Sequence, residues 1–299
     1  MTEKPPKRPT SKTIIKKWRE IKPLLANNRW LIPPNKSPTR SRYIASASQI
    51  PNQKLRILTF NIQAGLNSQA YSDYIKATVS QFLPSLPNMD HINAIGDLIA
   101  PFDVIALQEL DGGSVRSGHL NQLSYLAQHG GFEFWHQQLN RNLGKFGQYS
   151  NGILSRFIPF QVDDHRLPGL PGRGAIIAKY SVGSDPESTI AICCVHLALS
   201  VKARNKQLGF IRDLLAHEQH IVLLGDMNCI GDDLHKSPIG DLQLQTAPST
   251  MYSYPSWEPR RSIDHILVSK HLKVTEQTVI CSTLSDHCPI TTTIEIPLT

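Results

Sequence analysis

From Leu55 onward the apolar residues fall into two patterns. Short apolar runs, such as Ile57-Leu58-Thr59-Phe60, Ile190-Ala191-Ile192-Cys193-Cys194-Val195 and Ile221-Val222-Leu223-Leu224, predict strands. Strands are expected over 55–62, 103–108, 132–136, 151–155, 173–180, 190–196, 220–225, 263–269, 273–280 and 288–295. Between them, apolar residues at helical spacing predict helices over 88–100, 119–129 and 200–217; in the last, Leu208, Ile211, Leu214 and Leu215 form the buried stripe. Strands alternating with helices predict an α/β or α+β domain with helices covering sheets. Two loops interrupt the pattern: 163–174, rich in Pro and Gly, and 247–261, which mixes prolines with Tyr252, Tyr254 and Trp257.

Residues 1–54 read differently. They carry eight of the 21 prolines, and 33–53 shows neither helical nor strand periodicity, so a tail and linker are expected ahead of a domain spanning 55–299. Within the tail, Ile14, Ile15, Trp18, Ile21 and Leu25 recur at helical spacing among Lys16, Lys17, Arg19 and Lys22, a short basic amphipathic helix.

Charge sharpens this division. The net +7 of the 299-residue chain splits into a tail with 13 Lys/Arg against Glu3 and Glu20, net +11, and a body with 18 bases and 22 acids, net −4. A cationic tail suits nucleic acid or an anionic membrane surface. With 40% hydrophobic and 18% charged residues the chain is globular, and no run of 18 apolar residues exists to span a membrane. Five cysteines without C-x-x-C spacing suit a reducing compartment, and the start lacks the apolar core of a secretory signal. A cytoplasmic monomer is expected, with an organelle transit peptide left open.

The candidate chemistry lies where the apolar runs stop. Asn61, Glu109, His196, and Asp226 with Asn228 each end a core run, and Asp264 and His287 stand at the start of others. Carboxylates with amide oxygens are ligands for a hard cation such as Mg²⁺, whereas zinc calls for Cys or His in tetrahedral number. Histidine beside carboxylate suits proton transfer, and both Asp264-His265 and Asp286-His287 offer it; spacing leaves the pairing open. Walker, dinucleotide-binding, H-E-x-x-H and G-x-S-x-G motifs are absent, and His217-Glu218-Gln219-His220 has the wrong spacing for a helix-borne metal pair.

Taken in order, Thr59-Phe60-Asn61-Ile62, Leu107-Gln108-Glu109, Cys194-Val195-His196-Leu197, Gly225-Asp226-Met227-Asn228, Ile263-Asp264-His265-Ile266 and Ser285-Asp286-His287 resemble the motif set of the endonuclease/exonuclease/phosphatase superfamily, over roughly residues 55–297. The resemblance implies a four-layered α/β sandwich, two mixed β-sheets face to face with helices outside, and an active site at one end. It implies Asn61, Glu109 and Asp286 as ligands of Mg²⁺ or Mn²⁺. Asp226 and Asn228 would orient water and phosphate, Asp264 would partner His287, His196 would contact phosphate or donate a proton, and Asn151 would contact phosphate. Gln63 replaces an acid of the abasic-site endonucleases, and His196 stands where they lack a histidine, which argues against that branch. The reaction expected is hydrolysis of a phosphodiester, with nucleic acid the favoured substrate. The alternative is a phospholipid or inositol phosphate, with residues 1–54 docking on an anionic membrane. A silent binding module would have lost a ligand or histidine, and none is missing. Arg116, Arg141, Arg156, Arg173, Lys202, Arg204, Arg260 and Arg261 are candidates to line a basic groove, and Tyr254 and Trp257 to stack bases.

Overall fold

The computed structural model describes residues 39–51, 54–63, 89–114, 117, 119–142, 148–169, 171–183, 187–246 and 251–296. The helix expected within the basic tail, and Arg116, lie outside these residues.

Two sheets form the body. One has seven strands in the order β1 (Thr39–Tyr43), β6 (Gln161–Arg166), β7 (Gly174–Ser181), β8 (Thr189–His196), β9 (His220–Asp226), β11 (Asp264–Ser269) and β10 (Leu244–Gln245). The other has six, in the order β12 (Lys273–Val279), β13 (Ile290–Glu295), β2 (Lys54–Asn61), β3 (Val104–Asp111), β5 (Gln148–Ser155) and β4 (Phe134–Asn142). β2 with β3 and β8 with β9 are parallel, and the remaining pairs are antiparallel.

The period-two alternation of each strand builds two kinds of core. Ile57, Val104, Ala106 and Ile153 face Ile176, Ile192, Val222 and Leu224 between the sheets. The residues between them point outward: Leu58, Ile105 and Leu107 meet α1 (Met89–Ile99) and α2 (Gln122–Gly130), while Ile177, Cys193 and Leu223 meet α3 (Val201–Leu215). Each fully buried Leu or Ile contributes about 1.5–3 kcal/mol, so both faces of these strands stabilise the sandwich. The result is the expected four-layered arrangement of helix, sheet, sheet and helix. Asn121 caps α2, its Oδ1 accepting from the Ser124 N–H at 2.9 Å, and Ser200 does the same for α3 through Ala203.

Several elements differ from expectation. β1 lies inside the stretch read as linker and pairs with β6 from Thr39↔His165 to Tyr43↔Gln161, while Ile44 and Ile50 enter the inter-sheet core. The folded body thus begins by Thr39, ahead of the expected boundary at Leu55. β1 is an edge strand whose sequence carries Arg40 and Arg42, so it has no apolar run to betray it. β6, QVDDHR, is equally polar and occupies part of what reads as loop 163–174. A short helix α4 (Gly231–His235) and a 3-10 turn (Pro238–Leu242) follow β9 without a periodic signal.

Candidate active site

Topology gathers the polar strand ends at one rim. Parallel β2 and β3 finish there, as do parallel β8 and β9, and antiparallel β11 and β13 begin there. His196 lies opposite Asp226, and Asp226 opposite Asp264, so three side chains stand abreast on β8, β9 and β11. Gly225 permits this close register: its φ is 143°, and a Cβ there would lie 1.9 Å from the Val195 carbonyl oxygen. Glu109 reaches the rim by a different device. Between Leu107↔Gly152 and Leu110↔Ser150 the ladder carries an extra residue, and Glu109 adopts φ 56°, a bulge that turns its side chain toward the site.

Oδ2 of Asp226 is the hub. Asn61 Nδ2 donates to it at 3.1 Å, His196 Nε2 lies at 3.3 Å and His287 Nε2 at 3.9 Å. The other oxygen of Asp226 accepts from the Asn228 N–H at 3.0 Å, and the Asn228 side chain donates to the Leu197 carbonyl at 3.0 Å. His287 Nδ1 lies 2.7 Å from Asp264 Oδ2, which also accepts from Ser253 Oγ at 2.6 Å. This settles the pairing that spacing left open. His265 turns away, its Nε2 donating to the Cys229 carbonyl at 2.7 Å. Asn151 is buried beside the site and donates to the Gly174 carbonyl at 3.1 Å.

The electrostatics follow from burial and crowding. Burial pushes Asp226 up from the usual carboxylate range, and the charge of Asp264 adds to it. Glu109 is raised by burial and then by Asp286, and Asp286 is itself raised by burial. For His287 burial acts downward, but the charge and hydrogen bond of Asp264, with Asp226 and Asp286 behind, outweigh it and lift the imidazole to about 10. His196 goes the other way, held well below the usual histidine range by burial and by the nearby charges of Arg173 and His287.

Two carboxylate groupings could hold a cation. Asp226, Asp264 and His287 converge closely, but their facing atoms are engaged with one another and with Asn61 and Ser253. Glu109 and Asp286 instead crowd one another, two hard-cation donors, with Asn61 alongside: its Nδ2 faces the carboxylates, and its Oδ1, which accepts from the Gln63 N–H at 3.1 Å, keeps a second lone pair for an ion. The residues present fit such an ion at Glu109, Asp286 and Asn61.

Beside Glu109 and His196 opens a cleft of about 440 Å³ between the ends of β4 and β5, the loop before β7 and the start of α3. Of the eight candidate basic residues, Arg141 and Arg173 line it. Arg204 is buried and donates to the Leu199 carbonyl at 2.9 Å, and Arg156 donates to the Phe102 carbonyl at 3.2 Å, so neither serves a groove. Tyr254 packs against His287 with ring centroids 4.9 Å apart, a support for the imidazole where base stacking was the expectation. Ser253, the packing of Tyr254 on His287 and the contact between Arg173 and His196 carry no signal in the sequence, since loop residues have no periodicity that would place them.

The sequence profile of the Endonuclease/Exonuclease/phosphatase family matches residues 58–287. The chain belongs to this family. Its members are phosphoester hydrolases. Solved structures share the fold. An endonuclease/exonuclease/phosphatase family protein from Leptotrichia buccalis aligns at 19% identity and TM-score 0.60, over 81% of this chain and 99% of its own. The mannosyl-6-phosphatase Bt3783 of Bacteroides thetaiotaomicron aligns at 17% identity and TM-score 0.59, over 82% and 100%. The human Nocturnin catalytic domain, solved with a bound sulfate anion, aligns at 15% identity and TM-score 0.60, over 88% and 100%. No curated protein sequence matches the chain. Among the described residues no helix is long and apolar enough to cross a membrane.

Proposed function

We propose that this family member hydrolyses a phosphodiester of nucleic acid by in-line attack of water, with Mg²⁺ or Mn²⁺ held by Glu109, Asp286 and Asn61. The observation that carries the reading is the convergence of Asn61, His196 and His287 on one oxygen of Asp226, with Asp264 behind His287. A bound divalent cation supplies Lewis-acid neutralisation of charge on the phosphoryl oxygens. Asp226 is placed to take the proton of water, and its raised proton affinity makes it the better base. His287, held cationic by Asp264, faces the charge that develops on phosphorus. Asn228 and Asn151, each with a second amide hydrogen beyond its carbonyl bond, offer donors to the same oxygens, each preorganised donor contributing about 3 kcal/mol, while the Nε2 hydrogen of His196 faces Asp226 and orients that carboxylate.

The preference for nucleic acid is supported by the +11 charge of residues 1–54 and by Arg141 and Arg173 in the cleft. A second reading, a phosphoester presented on a lipid surface, draws on Leu199, Val201 and Ile230, exposed by 76%, 62% and 47% on the segments that follow β8 and β9. Plasmid DNA, RNA, sphingomyelin and phosphoinositides assayed with Mg²⁺, Mn²⁺ and chelator test both. His287→Ala should cut turnover of the accepted substrate by orders of magnitude, and unchanged turnover would remove His287 from the mechanism. Silence on every substrate would leave a binding scaffold.

A further inference from the structure

Arg173 is a cation that the hydrolytic groups do not use. It lines the cleft, and burial draws its guanidinium down from the usual arginine range. Among the described residues no carboxylate lies within ion-pairing distance of it; Glu109 and Asp226 act on it only from farther away. Its polar partner is Nδ1 of His196, at 3.1 Å. A guanidinium only donates, so Nδ1 must accept and the ring hydrogen sits on Nε2, toward Asp226. His196 is therefore a neutral partner and brings no counter-charge. A cation withdrawn from water beside a neutral ring is costly until an anion joins it.

Where that anion sits follows from the same ring. Nε2 of His196 faces Asp226 at 3.3 Å, whereas Arg173 holds the Nδ1 edge. An imidazole thus separates Arg173 from the hub at which the proposed hydrolysis takes place. Arg141 comes to the cleft from β4, where it lies opposite Tyr149. Gly172, at φ 110°, lies under its side chain: a Cβ there would stand 3.7 Å from both Cβ and Cδ of Arg141. The inner end of the cleft is closed by the carboxylate of Glu109 and the neutral ring of His196.

We propose that this cleft is a second anion subsite, in which Arg173 and Arg141 hold a phosphate that the substrate carries beside the one being hydrolysed. The inference rests on the proposed function, because that reading places the scissile phosphate at Asp226. It narrows the substrate to phosphate esters with two phosphates about one imidazole apart. A polynucleotide backbone and a phosphorylated inositol headgroup both present that chemistry.

Calorimetric titration of the full chain in EDTA, with inorganic phosphate and with inorganic tripolyphosphate, tests the subsite. The native chain should bind tripolyphosphate about tenfold tighter than phosphate or better, the scale of a charge-assisted pair. Arg141→Ala and Arg173→Met should each bring that ratio toward one, and Arg173→Lys should restore part of it. Arg141 is exposed, so its variant is expected to keep the native thermal unfolding. A ratio near one in the native chain, or a ratio that survives both substitutions, overturns the subsite. Parallel titrations with the dinucleotide pTpT and with inositol bisphosphate, each referred to phosphate, identify the source of the second phosphate, and tighter binding of either supports the subsite. Turnover is not read, so a chain with the ratio but no hydrolysis of any phosphate ester refutes the proposed function alone.

Discussion

Nδ1 of His287 and Oδ2 of Asp264 lie 2.7 Å apart, and both residues are buried at the rim where β11 and β13 begin. Asp264 fixes the ring through Nδ1, which leaves Nε2 on the side of Asp226. Its other oxygen, Oδ1, is buried and has no hydrogen-bond partner among the described residues, so a side-chain amide can replace the carboxylate without breaking a second contact there. Asp264→Asn should therefore leave the fold intact while lowering kcat by about 10²–10⁴, the range of a lost proton-transfer or charge-stabilising group. Steady-state rates at saturating Mg²⁺, set beside thermal unfolding of the same sample, check this. An undiminished kcat would dissociate Asp264 from the chemistry.

The charge of Asp286 adds to burial in raising the proton affinity of Glu109, so the two form a crowded carboxylate pair. Glu109→Gln keeps the shape of the side chain and removes half of that carboxylate pair. The Mg²⁺ concentration needed for half-maximal rate should rise about 10–100-fold, as expected for a disturbed metal site. A metal titration of the rate measures it. An identical midpoint in variant and native chain would move the cation elsewhere.

Gly225 stands at φ 143° with the Val195 carbonyl oxygen 1.9 Å from where a Cβ would be placed. No rotamer relieves a clash with backbone. Gly225→Ala must part β8 from β9 or twist the strand, at a cost of about 3 kcal/mol or more. Urea unfolding monitored by circular dichroism reads that loss, and a shift below about 1 kcal/mol would mean that β9 tolerates a side chain there.

Burial lowers the histidine pKa at His91, His165, His220 and His265. Between these lowered values and about 6.5 the unfolded chain binds more protons than the folded one, so this stabilisation is complete above about pH 6.5 and is lost as pH falls below it. The raised carboxylates of the rim act in the opposite sense over part of the same range, so a single residue must be isolated. His165→Gln should lose less stability than the native chain between about pH 7.5 and pH 5. Urea midpoints at the two pH values give the comparison, and parallel losses in both proteins would show that His165 carries no such linkage.

The central strands were legible because both of their faces are buried: β3, β8 and β9 read as apolar runs whose polar ends marked Glu109, His196 and Asp226, and the apolar second half of β2 led to Asn61. β1 and β6 were not. Their sequences, TRSRY and QVDDHR, follow no binary pattern, and β1 has a free edge in the seven-stranded sheet. The site shows the same divide. Residues fixed by strand register were anticipated, but Ser253, Tyr254 and the bond from Arg173 to His196 depend on how Pro- and Gly-containing loops fold back. No local rule specifies that path.

Asp226 belongs to the seven-stranded sheet, yet Asn61, which bonds to it at 3.1 Å, belongs to the six-stranded one. The candidate site therefore spans the seam of the sandwich and would act as an alignment gauge. A sliding of one layer over the other by even a fraction of a residue would silence it, long before spectroscopy registered any melting.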